Sequence, residues 1–191
     1  MSKLEIEPIE IQELAEEEFP DYAAEKAYIS RQPQRLDFIA DLIIARCQSH
    51  GNTLVLVNNI KQGKQLQSLI KDSVFLYGAT ENEVRAEWYS LFQERDDLIV
   101  IATSGIASTG ISIDRVFCLI FIDSGKSFTR VIQSVGRGLR KAFDKDFVHV
   151  VDIFSSLKWG KKHWRTRLKY YKEAKYPTSK VSKVKLNASN K

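Results

Sequence analysis

Five short apolar runs punctuate the chain: TLVLV at 53–57, SVFLY at 73–77, LIVIA at 98–102, VFCLIFI at 116–122 and FVHVVDIF at 147–154. Each has strand length, and none alternates apolar with polar positions as a half-solvated strand does, so both faces of each are expected to be covered. Between them the periodicity lengthens to that of a helix. Leu36, Ile39, Ala40, Ile43 and Cys47 recur at helical spacing and stop at Gly51, which suits a helix end. KQGKQLQSLI follows the first run, and ENEVRAEWYSLFQER follows the second with Val84, Trp88, Leu91 and Phe92 on one face. Strands alternating with helices predict an α/β domain around a largely parallel sheet.

The ends of the chain read differently. Residues 1–33 are acidic and carry Pro8, Pro20 and Pro33; LEIEPIEIQ alternates like a short exposed strand, so this segment is expected to be a lead-in or linker. Residues 34–155 form the expected domain. A basic amphipathic helix is expected over 156–177, with Leu157, Trp164, Leu168 and Tyr171 as its apolar stripe, and a disordered tail over 178–191.

Length and composition limit the picture without specifying it. At 191 residues the chain has room for one main domain, and 43% hydrophobic with 28% charged residues is ordinary for a globular protein. The net charge of +5 is unevenly spread: acidic residues crowd the first thirty positions, and Lys and Arg dominate after Ser155. A basic end points to a polyanionic partner, although a solvated surface explains it as well. Cys47 and Cys118 lie in no metal-binding spacing, which suits buried thiols in a reducing compartment. His50, His149 and His163 are scattered, so no metal site is expected. No apolar run nears the roughly 20 residues needed to cross a bilayer, and a cytoplasmic location is the expectation.

In an open parallel sheet, ligands gather where the strands end. Three polar segments fall there: NNIKQG, TSGIASTG and DSGKSFTRVIQS. The last leads into VIQSVGRGLRK. On a helical wheel Gln133, Arg137 and Arg140 share one stripe, at about 0°, 40° and −20°, with Val131, Ile132, Val135 and Leu139 turned away. Gly136 and Gly138 each cost a helix about 1 kcal/mol relative to Ala, which calls for a close approach or a helix end. A paired-donor cation that never loses its charge suits phosphate, and a phosphoryl-transfer site wants one aimed at the developing negative oxygens. Cations at a helix C-terminus also interact with its dipole, the plainer explanation of two such arginines.

These residues carry a family resemblance. QSVGRGLRK resembles the QxxGRxxR motif VI of superfamily-two helicases, IATSGIASTGISID resembles their motif V, TLVLVNN motif IV, and YGATENEVRAEWYSLF the block that follows it. Over about residues 35–154 these stand in the family's order. The chain thus resembles the second RecA-like domain of such helicases, with the phage UvsW-type recombination and repair helicases and the RecG or XPB-like branch nearest. The resemblance implies a RecA-like, P-loop NTPase-type three-layer sandwich without its own P-loop. It also implies ATP with Mg2+ as cofactor, held mainly by a first RecA-like domain absent from this chain. Gln133, Arg137 and Arg140 would face that ATP, the two arginines sensing its γ-phosphate, with Gly110 near the nucleotide. Asn58, Thr103 and Ser104 would touch the DNA backbone, and Arg85 is a further candidate. Many relatives place Asp or Asn two residues beyond the motif V glycine; here Ser112 stands there, so either Asp114 substitutes in the ribose contact or that contact is absent.

Plainer roles exist for several of these. Asn58 can satisfy a strand-end turn, Thr103 and Ser104 can pair with loop amides, and Arg85 can pair with Glu81 in solvent. No GxxxxGK[ST] loop occurs: DSGKS contains GKS, but Ile120 stands where the upstream glycine belongs. The expected function is therefore half of an ATP-dependent DNA helicase or branched-DNA translocase, inactive as this chain alone and completed by an N-terminal RecA-like domain. Its DNA, branched or at duplex-single-strand junctions, would also meet Lys161, Lys162 and Arg165 of the basic helix. The alternative is a stand-alone RecA-like module that binds nucleic acid without catalysis.

Overall fold

The computed structural model describes residues 3–15, 18–108, 115–125, 128–138 and 147–186, without the side chains of 3, 108 and 134–138. In chain order the elements are β1 (Lys3–Gln12), α1 (Tyr22–Ile29), α2 (Pro33–His50), β2 (Thr53–Val57), α3 (Ile60–Leu69), β3 (Ser73–Leu76), α4 (Asn82–Glu94), β4 (Ile99–Thr103), α5 (Ser104–Ser108), β5 (Cys118–Ile122), α6 (Phe128–Gly138), β6 (Phe147–Ser155), α7 (Lys158–Glu173) and β7 (Ser182–Lys185). Among the described residues they build one seven-stranded sheet in the order β3-β4-β2-β5-β6-β1-β7. Every neighbouring pair is parallel, so all strands end at the same rim.

The five apolar runs form β2 to β6, and their side chains divide between two cores. Leu54, Leu56, Val100, Ala102, Leu119 and Phe121 face one side, where they meet Phe92, Ile106, Val131, Ile132, Trp164 and Tyr171 from α4, α5, α6 and α7. Val55, Val57, Ile99, Ile101, Ile120 and Ile122 face the other, against Leu36, Ile39, Ile43 and Leu66 from α2 and α3. Strands covered on both faces need no polar alternation, which is why these runs read as continuous apolar stretches. Gly51 ends α2 at φ 101° with its N–H on the Cys47 carbonyl, as the sequence predicts. Pro33, assigned from sequence to the lead-in, is instead the first residue of α2, where a missing N–H costs no hydrogen bond.

Both chain ends depart from expectation. Residues 3–12 are no exposed lead-in: β1 lies inside the sheet between β6 and β7, and Leu4, Ile6, Ile9 and Ile11 are buried. Glu5 stays exposed, but the strand's other two carboxylates are paired. Glu7 meets Arg46 and His149, while Glu10 accepts from the Gln12 side chain at 2.8 Å and lies 3.5 Å from Lys161 Nζ. The apolar side also changes face at Pro8, with Leu4 and Ile6 in one core and Ile9 and Ile11 in the other. Pro8 itself fits because Ile6, of the same parity, bonds through both N–H and C=O to residues 177 and 179, so the missing donor turns away from β6. The expected disordered tail is likewise corrected in part: Ser182–Lys185 pair with Ile9–Gln12, and 187–191 lie outside the described residues.

Candidate functional site

Because β3, β4, β2 and β5 are neighbours and parallel, the segments that follow them meet along one rim. The candidate residues from three separate stretches of sequence are placed there. Thr103 closes β4 and Ser104 opens α5 directly after it. Asn58 follows β2, and its Nδ2 donates to the carbonyls of Ile122 and Asp123 at 3.2 and 2.8 Å. Its side-chain NH2 thus ties the end of β2 to the end of β5. Arg85 lies in the first turns of α4 and donates through Nη2 to the Tyr77 and Gly78 carbonyls at 3.1 and 2.9 Å, just beyond β3. It braces that turn, in place of the pair with Glu81 considered from sequence.

The helix that carries the motif of arginines is α6. Its first turns bury Phe128, Val131 and Ile132 against the sheet, while Arg130 and Gln133 are exposed. Arg137 belongs to the same helix one turn beyond Gln133. Arg140, Gly110 and Asp114 lie outside the described residues, as do Ser112 and the Lys126–Ser127 part of DSGKS.

What the pattern reading missed is a buried ionic network that holds the start of α6. Asp123, with a left-handed φ of 49°, follows β5, and its carboxylate takes Nη1 and Nη2 of Arg35 at 2.7 and 2.8 Å. Arg35 reaches Glu13 with Nε at 2.8 Å. Burial works against the Arg35 charge, yet Asp123 and Glu13 together hold it above the ordinary arginine value. Its one charge serves two carboxylates, and burial, abetted by the negative charge of Asp123, leaves Glu13 with a raised pKa. Next along the chain, the Ser124 carbonyl accepts from Nη1 of Arg167, a residue of α7. Arg167 also forks onto Asp152 of β6, with Nε and Nη2 each 2.8 Å from a carboxylate oxygen, and the Tyr171 hydroxyl donates to the same group at 2.6 Å. Burial and Asp152 together push the Tyr171 hydroxyl well above its usual range. Two sequence signals were available: a carboxylate inside the apolar run VVDIF demands a partner, and Arg167 stands on the same helical stripe as Trp164 and Tyr171.

The basic helix α7 is anchored at both ends. The Glu25 carboxylate, from α1, accepts the Trp159 and Gly160 N–H groups at 3.0 and 2.8 Å, capping the N-terminus of α7 from afar. Gly160 is needed for that fit, since a Cβ there would lie 2.6 Å from the Ser155 carbonyl oxygen. Trp164 and Tyr171 are buried as the sequence predicts, with Leu168 partly buried beside them. Lys158, Lys161, Lys162, Arg165, Lys169 and Lys172 remain exposed, and Lys162 Nζ lies 4.9 Å from the centre of the Trp159 ring. Lys161 leans toward Glu10; the others leave a cationic face on the outer side of the helix.

Comparison with known proteins places this arrangement. Residues 34–142 match the helicase conserved C-terminal domain. Over 153 residues the chain is 29% identical to the ATP-dependent DNA helicase uvsW of Enterobacteria phage T4, covering 78% of this chain and 30% of that protein. The crystal structure of T4 UvsW superposes with a TM-score of 0.76 at 22% identity, over 97% of this chain and 42% of the other. The C-terminal domain of the DEAD-box protein Dbp5 superposes with a TM-score of 0.61 at 14% identity, over 97% of this chain and 90% of that one. The chain therefore spans well under half of the UvsW protein it matches, and the solved likenesses establish its fold as RecA-like. With its family model matched over more than half of its length, the chain belongs to the helicase conserved C-terminal domain family.

Proposed function

We infer that this domain is the second motor domain of an ATP-dependent DNA helicase that remodels branched DNA. The observation that carries the reading is α6: a helix that buries Phe128, Val131 and Ile132 in its first turns, exposes Gln133, and runs on to Arg137 and Gly138, with Arg140 two residues further in sequence. A glutamine amide and two guanidinium groups suit a triphosphate presented from outside, because together they offer many N–H donors and fixed positive charge. The sequence has no P-loop, so a first RecA-like domain would hold the ATP and its Mg2+. ATP supplies the free energy. The residues of this chain would stabilise the charge that builds on the transferring phosphoryl group and grip DNA at Asn58, Thr103 and Ser104. Closing and opening of the two domains would then alternate the grip on the backbone. Relatedness to a phage DNA helicase supports DNA as the track, and the cationic face of α7 supports a second contact with it.

The test is the DNA-stimulated ATPase of this domain together with its P-loop-bearing partner, in one polypeptide or as mixed chains. Arg137→Ala and Arg140→Ala are each expected to lower kcat by a factor of about 10³ to 10⁵, the range for arginine fingers, with DNA affinity retained. Normal turnover in both variants would overturn the arginine assignment. DNA binding without any ATPase, whatever P-loop domain is supplied, would leave a non-catalytic binding module.

A further inference from the structure

We propose that Arg35 and Arg167 are positioning residues for the arginine-bearing helix: from α2 and α7 they lock the exit of β5 into a pivot that aims α6. The proposal rests on the motor-domain reading above, and its test separates the two.

Three consecutive residues at that exit, Ile122, Asp123 and Ser124, are held from four directions. Asn58 donates to the first two carbonyls from the end of β2, and the Asp123 N–H donates to the Ile153 carbonyl of β6 at 2.9 Å. Arg35 takes both oxygens of the Asp123 carboxylate, and Arg167 donates to the Ser124 carbonyl. Both arginines are 1% exposed, and Ser124 is 2% exposed. Ordinary strand ends do not recruit two buried guanidinium groups, because each must be stripped of water and is repaid only by near-complete pairing. Nor does the backbone rest here in its easiest state, since Asp123 adopts a left-handed conformation that side chains rarely take. The over-determined turn therefore reads as a geometric device.

Its geometry bears on α6 because only Gly125 and two further residues separate Ser124 from Phe128, where that helix begins. The same α7 that supplies Arg167 also grips Phe128: the Tyr170 and Tyr171 rings stand edge-on to it with centroids 5.3 and 5.7 Å away. The start of α6 is thus fixed by hydrogen bonds on its approach, one of them from Arg167, and by aromatic contacts on its first residue from the same helix α7. A rotation about this pivot would displace Gln133 and everything beyond it. Misplacing a catalytic group by about 1 Å costs on the order of 10²-fold in rate, so a firm pivot serves an arginine that must meet a phosphate on another domain.

The informative variant is Arg167→Lys, which keeps a cation against Asp152 but gives up the planar fork that also reaches Ser124. In the two-domain protein, with ATP and saturating forked DNA, its kcat is expected to fall about tenfold to a hundredfold while KM for ATP and the Kd for DNA stay within about twofold. Asn58→Ala, which releases the Ile122 and Asp123 carbonyls, is measured at the same saturating DNA so that affinity does not enter, and the same fall in kcat with KM for ATP held is expected. A Leu168→Ala control trims a partly buried side chain of α7 that makes none of the pivot's hydrogen bonds, and its kcat is expected to stay near the parent value. Unchanged kcat in folded Arg167→Lys, or in Asn58→Ala where the former does not fold, would overturn the proposal; so would an equal loss in Leu168→Ala. Should Arg137→Ala itself leave turnover intact, the motor-domain reading fails; should Arg137→Ala abolish turnover while both pivot variants remain normal, only the positioning role fails.

Discussion

Arg167 and Asp152 meet as a buried fork, two guanidinium nitrogens each 2.8 Å from a carboxylate oxygen, with side chains 1% and 0% exposed. Arg167 thereby joins the basic helix to β6, and the Tyr171 hydroxyl completes the shell around the carboxylate. Deleting one member of such a pair leaves the other charged and dry. Asp152→Ala is expected to destabilise the domain by about 3–5 kcal/mol, read from urea unfolding. A midpoint close to that of the parent would show that water or another group reaches Arg167, contrary to the geometry.

Gly63 and Phe75 give a second, purely steric prediction. A Cβ on Gly63 would come within 2.3 Å of the Phe75 ring, which is itself buried and stacked on Tyr77 at 5.0 Å. Alanine in an α-helix ordinarily gains about 1 kcal/mol over glycine, but overpacking a core costs about 1–3 kcal/mol. The clash is with a ring that has nowhere to go, so Gly63→Ala is expected to lower the thermal midpoint. A rise in Tm would mean that α3 can lift from β3 without penalty.

Acid should loosen the edge where β1 sits between β6 and β7. The Glu7 carboxyl is held down to about 2, from its ordinary 4.5, by the hydrogen bond from the His149 ring at 2.5 Å and by the Arg46 pair, against the opposing effect of burial. A carboxyl that titrates lower in the folded chain than in the unfolded one adds stability above its unfolded pKa. That contribution is lost as pH falls from about 4.5 towards 2. Allowing for solvent screening of this half-buried group, it is worth roughly 1–2 kcal/mol. Glu7→Gln should remove that part of the pH dependence in chemical unfolding followed from pH 7 to 3, and an unaltered profile would refute the assignment.

The cationic face of α7 predicts a salt signature. Each phosphate neutralised on duplex DNA contributes about 0.9 to the slope of log K against log salt, or about 0.7 on a single strand. Replacing Lys162 and Arg165 with Ala should flatten that slope by about one to two while leaving the fold intact, since both are exposed. An identical slope for parent and double variant would place the DNA elsewhere.

Much of the architecture was legible because covered parallel strands and their helices write simple patterns. TLVLV, LIVIA and VFCLIFI could hardly be anything but buried strands, and Gly51 marked the end of α2. The motif order made the family readable as well, since QSVGRGLRK after IATSGIASTGISID is a long constraint on a short chain. Asn58, Arg85, Thr103 and Ser104 were found as rim residues by the same route. The hydrogen bonds of Asn58 and Arg85 were not, because a partner such as Asp123 or Gly78 is chosen by how strands and turns sit side by side.

The sequence by itself determined the sheet-and-helix alternation and the strand-end location of the polar segments, which depend on local periodicity and spacing, and its ordered motifs carried the family resemblance. Only the tertiary structure decided where the alternating acidic strand belongs and which charges are buried. LEIEPIEIQ looks exposed until Arg46, His149 and Lys161 are brought to its carboxylates, and Arg167 reads as one more basic residue until β6 places Asp152 beneath it. The physical reason is that the cost of burying a charge is fixed by the residue alone, whereas its repayment comes from a partner about 15 to 150 positions away, which only the folded chain brings within reach.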